Sequence, residues 1–400
     1  MDKKWVKIPD VLFFQEGPGV RNTQYTNEGV KLLNVANLVD GKVDLSTSDR
    51  YISEEEAFGK YSHFLCNDGD FIVASSGIKV EYIDKKMGFV DETMLPLCMN
   101  TSTIRFKVLN PNELRIRYFM YYLKSQHFKG QLFRLITGSA QLNYGPSHLK
   151  QMDMPLIKVS EQDKIVRNLD ILQKIIDLRQ NELNKFDELI KARFVEMFGN
   201  IHEDRFPKCK LRDVAHIKHG YAFSGEYFSD DDNGVVLVTP GNFALGGGFQ
   251  EVRNRYFTSD YPDEYVLHAG DLIVTMTDLS KKVDTLGYGA IVPNSDKVYL
   301  HNQRIGLFDK LDSMLNPVFV RWFMQTDEYR LEIVRTSTGS TVHHTSPDRI
   351  LDTVIYLPPI EMQNKFVSFA EQVDKSKVVV QKSLEENQLL FDSLMQKYFG

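Results

Sequence analysis

Three cysteines in 400 residues, Cys66, Cys98 and Cys209, are too few and too far apart for a disulfide framework or a zinc knuckle. Their scarcity points to a reducing, cytoplasmic setting. No apolar run reaches the roughly 18 residues that a membrane-spanning helix requires. The first residues, from Met1 to Phe14, lack the apolar core of a secretory signal. Excess positive charge is missing too: the net charge is −6, and no segment is a basic tail. Residues 1–160 hold 20 Lys+Arg against 18 Asp+Glu, and residues 200–361 hold 16 against 23. This balance argues against indiscriminate nucleic-acid binding, which wants a broadly basic surface, and any DNA contact must come from local clusters.

Catalytic signatures are also lacking. The one Pro-Pro pair, Pro358-Pro359, is flanked by Leu357 and Ile360. An amino-methyltransferase loop needs a polar residue before that pair and an aromatic after it. No glutamate has a lysine two residues later, which excludes the common metal-dependent nuclease motif. Gly59-Lys60 is followed by Tyr61, so there is no P-loop, and Gly246-Gly247-Gly248 reads as a turn. His343-His344 has no third ligand placed by the sequence, and no metal is expected. These absences describe a binding protein rather than an enzyme.

What is present is a repeat. Residues 162–199 carry a heptad seam, Leu169, Ile176, Leu183, Ile190 and Met197, interleaved with Ile165, Leu172, Arg179, Phe186 and Arg193. Such a helix needs a partner for its apolar seam. Residues 363–400 supply one, and both stretches end in Phe-Gly, 201 residues apart. The same offset relates Thr137-Gly138-Ser139 to Thr338-Gly339-Ser340, and Gly69-Asp70 to Gly270-Asp271. The chain is thus two copies of one α+β unit, each a globular region followed by a long helix. Strands are expected near 70–74, 103–108, 234–238 and 271–275. One helix per copy is expected near 114–135 and 317–334, and Ser160 is expected to cap the first long helix. The aromatics Tyr118, Phe119, Tyr121 and Tyr122 sit at helical spacing, which favours a core role over base stacking.

The loops after Thr-Gly-Ser change between copies while the frame stays. Ser139, Gln141 and Asn143 in the first, and Ser340, Thr341, His343 and His344 in the second, are candidate base readers. Amides, hydroxyls and imidazoles can pair with base edges. A turn kept only for its backbone is the competing reading. Candidate phosphate contacts are Lys79, Lys85, Lys86 and Arg134 in the first copy. In the second they are Arg253, Arg255, Lys281, Lys282 and Arg304. Such contacts would fix position, not sequence.

With these residues in view, the chain resembles the DNA-specificity (S) subunit of type I restriction–modification enzymes. The resemblance rests on the duplicated junctions, Met154-Pro155-Leu156 through Glu161-Gln162-x-Lys164 and Leu357-Pro358-Pro359 through Gln363-x-Lys365. It rests also on the Gly-Asp-x-Ile-Val segments and the Thr-Gly-Ser loops. Met362, standing where the first copy has Glu161, departs from the pattern. The resemblance implies two target recognition domains, 1–160 and 201–361, each reading half of a bipartite site in double-stranded DNA. It implies that long helices at 161–200 and 362–400 pack as an antiparallel coiled coil with pseudo-twofold symmetry. Methyltransferase (M) subunits, usually two, would dock there, and restriction (R) subunits would join. S-adenosylmethionine, ATP and Mg would sit on those partners and none on this chain. A helix of 38 residues at about 1.5 Å each spans roughly 57 Å, on the order of 17 base pairs at about 3.4 Å per step. The alternatives are a duplicated coiled-coil adaptor that reads no DNA sequence, and a single-chain enzyme with a cryptic fold.

Overall fold

The computed structural model describes residues 3–136, 143–252, 254–280 and 283–400. Its six helices of seven residues or more are α1 (Ile116–Lys124), α2 (Gln126–Leu135), α3 (Val159–Phe198), α4 (Pro317–Phe323), α5 (Asp327–Thr336) and α6 (Ile360–Phe399). The chain forms two compact units, Met1–Gln180 with Lys382–Gly400, and Asn181–Gln381. The divisions fall inside α3 and α6 rather than at the helix starts where the sequence set its domain edges. The reason is packing: the two halves of each long helix are buried in different cores.

Unit 1 is built on a four-stranded antiparallel sheet in the order Leu12–Glu16, Thr103–Val108, Phe71–Ala74, Met87–Phe89. Phe71, Val73, Ile104 and Phe106 face a core shared with Tyr118, Phe119 and Leu169. Ile72 and Ala74 point the other way, into a smaller core with Leu33 and Leu97. Burial on both faces is why this strand reads as a continuous apolar run instead of an alternating one. A three-stranded sheet, in which Val30–Leu33 runs parallel to Leu97–Met99, closes the smaller core.

Unit 2 repeats the plan. Its four-stranded sheet runs Ala215–His219, Ile305–Leu311, Leu272–Thr275, Gly289–Ile291. Its second sheet has five strands, with Val235–Val238 parallel to Val298–His301. The shared turn before the central strand has a backbone cause. Gly69 (φ 77°) and Gly270 (φ 92°) occupy the left-handed region that favours glycine. Asp70 and Asp271 then accept the backbone N–H of Asn67 and His268.

Each helix expected from the aromatic spacing is in fact a pair. At Ser125 the backbone leaves the helix (φ −69°, ψ 153°) and the hydroxyl accepts the Phe128 N–H, which caps α2. Thr326 does the same for α5. Ser160 does not cap α3, which begins at Val159. The Lys158 carbonyl accepts the N–H groups of Glu161 and Gln162 instead.

The long helices carry the expected seam. In unit 1 the start of α3 (Ile165, Leu169, Leu172, Ile176) shares a core with the end of α6 (Phe391, Met395, Tyr398, Phe399). In unit 2 the end of α3 (Ile190, Phe194, Phe198) shares a core with the start of α6 (Phe366, Val367, Ala370, Val373). In unit 2 Asp187 meets Lys377 and Phe194 meets Phe366, an opposite order that makes those helix segments antiparallel. The heptad yields to a spacing of four at Ile190, Phe194 and Phe198, because the helix end enters the globular core. The Phe198 ring lies 4.9 Å from Phe319, and Phe399 lies 5.1 Å from Tyr118 at the equivalent place in unit 1.

Candidate nucleic-acid interface

The repeat offset reappears as hydrogen bonding. Past the central strand of unit 1, Ser76 bridges Asn143, and the Tyr144 N–H donates to the Ser75 carbonyl at 2.9 Å. Past the central strand of unit 2, Thr277–Asp278 pairs with His343–His344, and the Thr345 N–H donates to the Met276 carbonyl at 3.0 Å. Every member of one set lies 201 residues from its counterpart. Each unit thus joins the segment after its central strand to the loop that follows α2 or α5.

In unit 2 that loop is a tight hairpin closed by Thr338 and His344, which exchange backbone bonds of 2.9 and 2.8 Å. Gly339 (φ +100°) turns its tip, and a Cβ there would stand 1.9 Å from the Val342 carbonyl oxygen. The glycine of Thr-Gly-Ser is therefore a backbone requirement. Ser340, Thr341 and His344 are exposed, while His343 is half-buried with no partner for Nδ1 among the described residues. His344 Nδ1 stands 3.1 Å from the Thr277 hydroxyl, which orients the ring. Asn143 is exposed at the matching place in unit 1. Ser139 and Gln141 lie outside the described residues, as do Arg253, Lys281 and Lys282.

Two residues that sequence reasoning passed over hold this face together. Asp278 is buried, yet its carboxylate accepts the N–H of Ser280 (2.6 Å) and Leu286 (3.1 Å) and both N–H and hydroxyl of Thr285. Burial pushes its pKa up, but the hydrogen bonds outweigh that and hold it below the ordinary carboxylate range. In unit 1 Gly77 stands there, so the repeat itself concealed the position. Thr277, the orienter of His344, was legible only as the residue that follows a strand.

The candidate cations divide. Lys79 and Lys85 are exposed on the turn that follows the Ser76 segment, with Lys86 half-buried at its end. Lys85 Nζ stands 5.9 Å from the Tyr82 ring. Arg134 is exposed at the end of α2, and Arg304 is exposed beside unit 2's segment, its carbonyl accepting the Met276 N–H. Arg255 lies on the five-stranded sheet, ion-paired with Asp230 at 2.7 Å. Lys129, in the same stretch as Arg134, is held internally by Asp84 and the Glu81 carbonyl, both at 3.0 Å. Tyr118, Phe119, Tyr121 and Tyr122 are core residues, so none of them stacks on a base. Among the described residues, no group of three or more His, Cys, Asp or Glu could hold a metal ion, and no helix is long and apolar enough to cross a membrane.

The junction with the long helix is the third repeated device. Gln162 is fully buried; its Oε1 accepts the Arg115 N–H, and its Nε2 donates to the Glu113 and Ile157 carbonyls, all at 2.8 Å. Gln363 repeats this with Asn316, Met314 and Pro358 at 2.8–2.9 Å. Glu161 is half-buried and its carboxylate pairs with Lys164 beside it on the helix, outside the glutamine's network, where the second copy has Met362. Away from the seam, α3 leaves Ile171 and Leu178 exposed in unit 1, and α6 leaves Val378 and Val379 exposed in unit 2.

A duplicated α+β unit, a polar loop face in each copy and a buried glutamine locking each long helix define a two-domain recognition scaffold. The chain belongs to the type I restriction modification DNA specificity domain family, whose model matches it twice, over residues 3–187 and 204–389. Specificity subunits of such systems are non-catalytic. The chain is 23% identical over 194 residues to the type I restriction enzyme MjaVIII specificity subunit of Methanocaldococcus jannaschii, covering 48% of this chain and 44% of that protein. It is 27% identical over 183 residues to the EcoBI specificity subunit of Escherichia coli, covering 44% and 35%. The matched region thus spans less than half the length of either relative. The fold is similar to the S subunit of a type I restriction-modification system from M. genitalium, with a TM-score of 0.57, 14% identity and coverage of 100% and 97%. A second structure, described as concerned with complex assembly and conformational transition of the type I R-M system, gives 0.56 at 15% identity, covering 99% and 97%.

Proposed function

We propose that each unit is a target recognition domain reading one half of a bipartite site in double-stranded DNA, and that the long helices set the unread gap. The observation that carries this reading is the repeated loop face, a constant frame presenting Asn143 in one unit and His343 and His344 in the other. Amide and imidazole groups at matching places would select different bases, while Lys79, Lys85, Lys86 and Arg304 would contact phosphates. Ser139, Gln141, Arg253, Lys281 and Lys282 belong to the same proposal on sequence grounds.

Methylation and cleavage would be carried out by partners in the cytoplasm. Two methyltransferase subunits would dock on the long helices, and restriction subunits would join them. S-adenosylmethionine, ATP and Mg would bind to those chains. The exposed apolar residues of α3 and α6, among which Leu178 and Val379 stand at the repeat offset, support docking of a partner on each unit. A gel shift on randomised and defined duplexes, with and without a type I methyltransferase subunit, tests the reading. A sequence-dependent shift supports it; binding without sequence preference in both lanes would indicate an adaptor.

A further inference from the structure

Each unit pairs a short strand with the strand before its long helix, and the two pairs differ in what they carry. In unit 1 Lys4–Lys7 runs antiparallel to Asp153–Leu156, with Trp5 opposite Pro155. In unit 2 Lys208–Lys210 runs antiparallel to Val354–Tyr356, with Lys208 opposite Tyr356. Tyr356 follows Pro155 by 201 residues, so Lys208 holds the place in the ladder that Trp5 holds in unit 1. A lysine stands where the first copy has an indole.

The Trp5 segment lies on three residues of unit 1. The indole stands 4.5 Å from the His127 ring, and Lys7 Nζ stands 2.9 Å from the Asp153 carboxylate and donates to the Gln151 carbonyl at 3.0 Å. The residues 201 further on are Glu328, Val354 and Asp352, and all three line one cavity of about 430 Å³ in unit 2. Lys208 does not fill it; its ammonium turns to Asp204 at 2.8 Å. Leu331, on α5, is 71% exposed and Val354 is 45% exposed, so the cavity keeps open apolar walls. Its acidic residues are unequal. Glu332 is paired with Arg335, and Asp352 with Lys210 and Arg212. Glu328 is half-buried and has no ion-pair partner among the described residues. Apolar walls beside a spare carboxylate suit an aromatic ring next to a cation, and they repel a nucleic-acid phosphate.

We propose that this cavity docks a partner polypeptide through an aromatic side chain flanked by lysines, the chemistry that Lys4-Trp5 brings to the matching wall of unit 1. The ring lies against Leu331 and Val354, and a neighbouring lysine pairs with Glu328. Aromatic anchors of this kind dominate protein interfaces, and the volume falls within the roughly 300–1,000 Å³ of binding pockets. Unit 1 fills the place with its own chain, whereas unit 2 leaves it for another. This surface is separate from the long-helix docking and the DNA reading proposed above and depends on neither.

The chain itself supplies the probe. A fluorescently labelled peptide copying Lys3 to Lys7, Lys-Lys-Trp-Val-Lys, is titrated with the full chain and followed by anisotropy. Saturable binding is expected, and it should be lost when the peptide carries Trp5→Ala. Glu328→Gln in the chain should weaken binding about two- to fivefold, as the loss of a partly exposed ion pair does. Lys208→Trp gives unit 2 the residue of unit 1, so it should fill the cavity and weaken binding about tenfold or more. Leu331→Asp, at a side chain already in solvent, should do the same, and it decides the matter should Lys208→Trp fail to fold. No saturable binding, or equal binding of the Trp5→Ala peptide, would overturn the proposal. So would binding that survives Leu331→Asp, because the peptide would then sit on unit 1 in place of the chain's own first strand.

Discussion

At the scale of single residues, the buried glutamines are the clearest case of sequence pattern turning into energy. Gln162 satisfies one N–H and two carbonyls that water cannot reach. Replacing it with alanine strands those groups, and a loss of about 3 kcal/mol is expected in urea denaturation. Glu161→Met should change stability by less than about 0.5 kcal/mol, as surface changes do. The repeat made Gln162 and Gln363 visible as a motif. Their role was not legible, because the partners on Arg115 and Glu113 lie 47 and 49 residues away.

His301 supplies a pH dependence. It is fully buried and its Nε2 bonds to the Ile305 carbonyl at 2.9 Å. Burial, the main cause, lowers its pKa to about 4, against about 6.5 for an unfolded histidine. Between those values the unfolded chain binds the extra proton, so stability should fall as pH drops from about 6.5 to about 4 and be fully present above that window. Denaturation at several pH values checks this, and His301→Gln should flatten that part of the profile.

At the scale of elements, the heptad seam was legible because period and length suffice to identify a helix that needs a partner. The seam could not show where each helix leaves its partner for a globular core. That depends on Phe194 and Phe198 meeting Phe319, which no local spacing encodes. The break between paired helices was missed for a related reason: the aromatic spacing runs through it, and only the capping chemistry of Ser125 and Thr326 marks it. The exposed apolar residues of α3 are predicted to act outside the chain. Ile171→Ser with Leu178→Ser should leave the melting temperature nearly unchanged while abolishing co-purification with a methyltransferase subunit. A large drop in melting temperature would show instead that these side chains stabilise the chain itself.

At the scale of the whole molecule, the offset of 201 residues recurs in turns, caps, buried glutamines and the loop face, so the duplication was fully legible. The repeated loop face was only partly so: the sequence pointed to the loops, but not to the Thr277–Asp278 segment that pairs with His343 and His344. Inserting one heptad into both α3 and α6 is predicted to lengthen the gap between half-sites and leave the half-sites unchanged, as read by methylome mapping. Altered half-sites with the old gap would refute the helices as spacers.

The claim that each unit reads its own half is tested most directly by selecting bound sequences from a randomised duplex pool. The wild-type chain, Asn143→Ala and His344→Ala would each be assembled with methyltransferase subunits for that selection. The account predicts a bipartite consensus in which Asn143→Ala relaxes one half, His344→Ala relaxes the other, and the gap is constant throughout. Relaxation of both halves by either variant, or no consensus for the wild-type assembly, would contradict it.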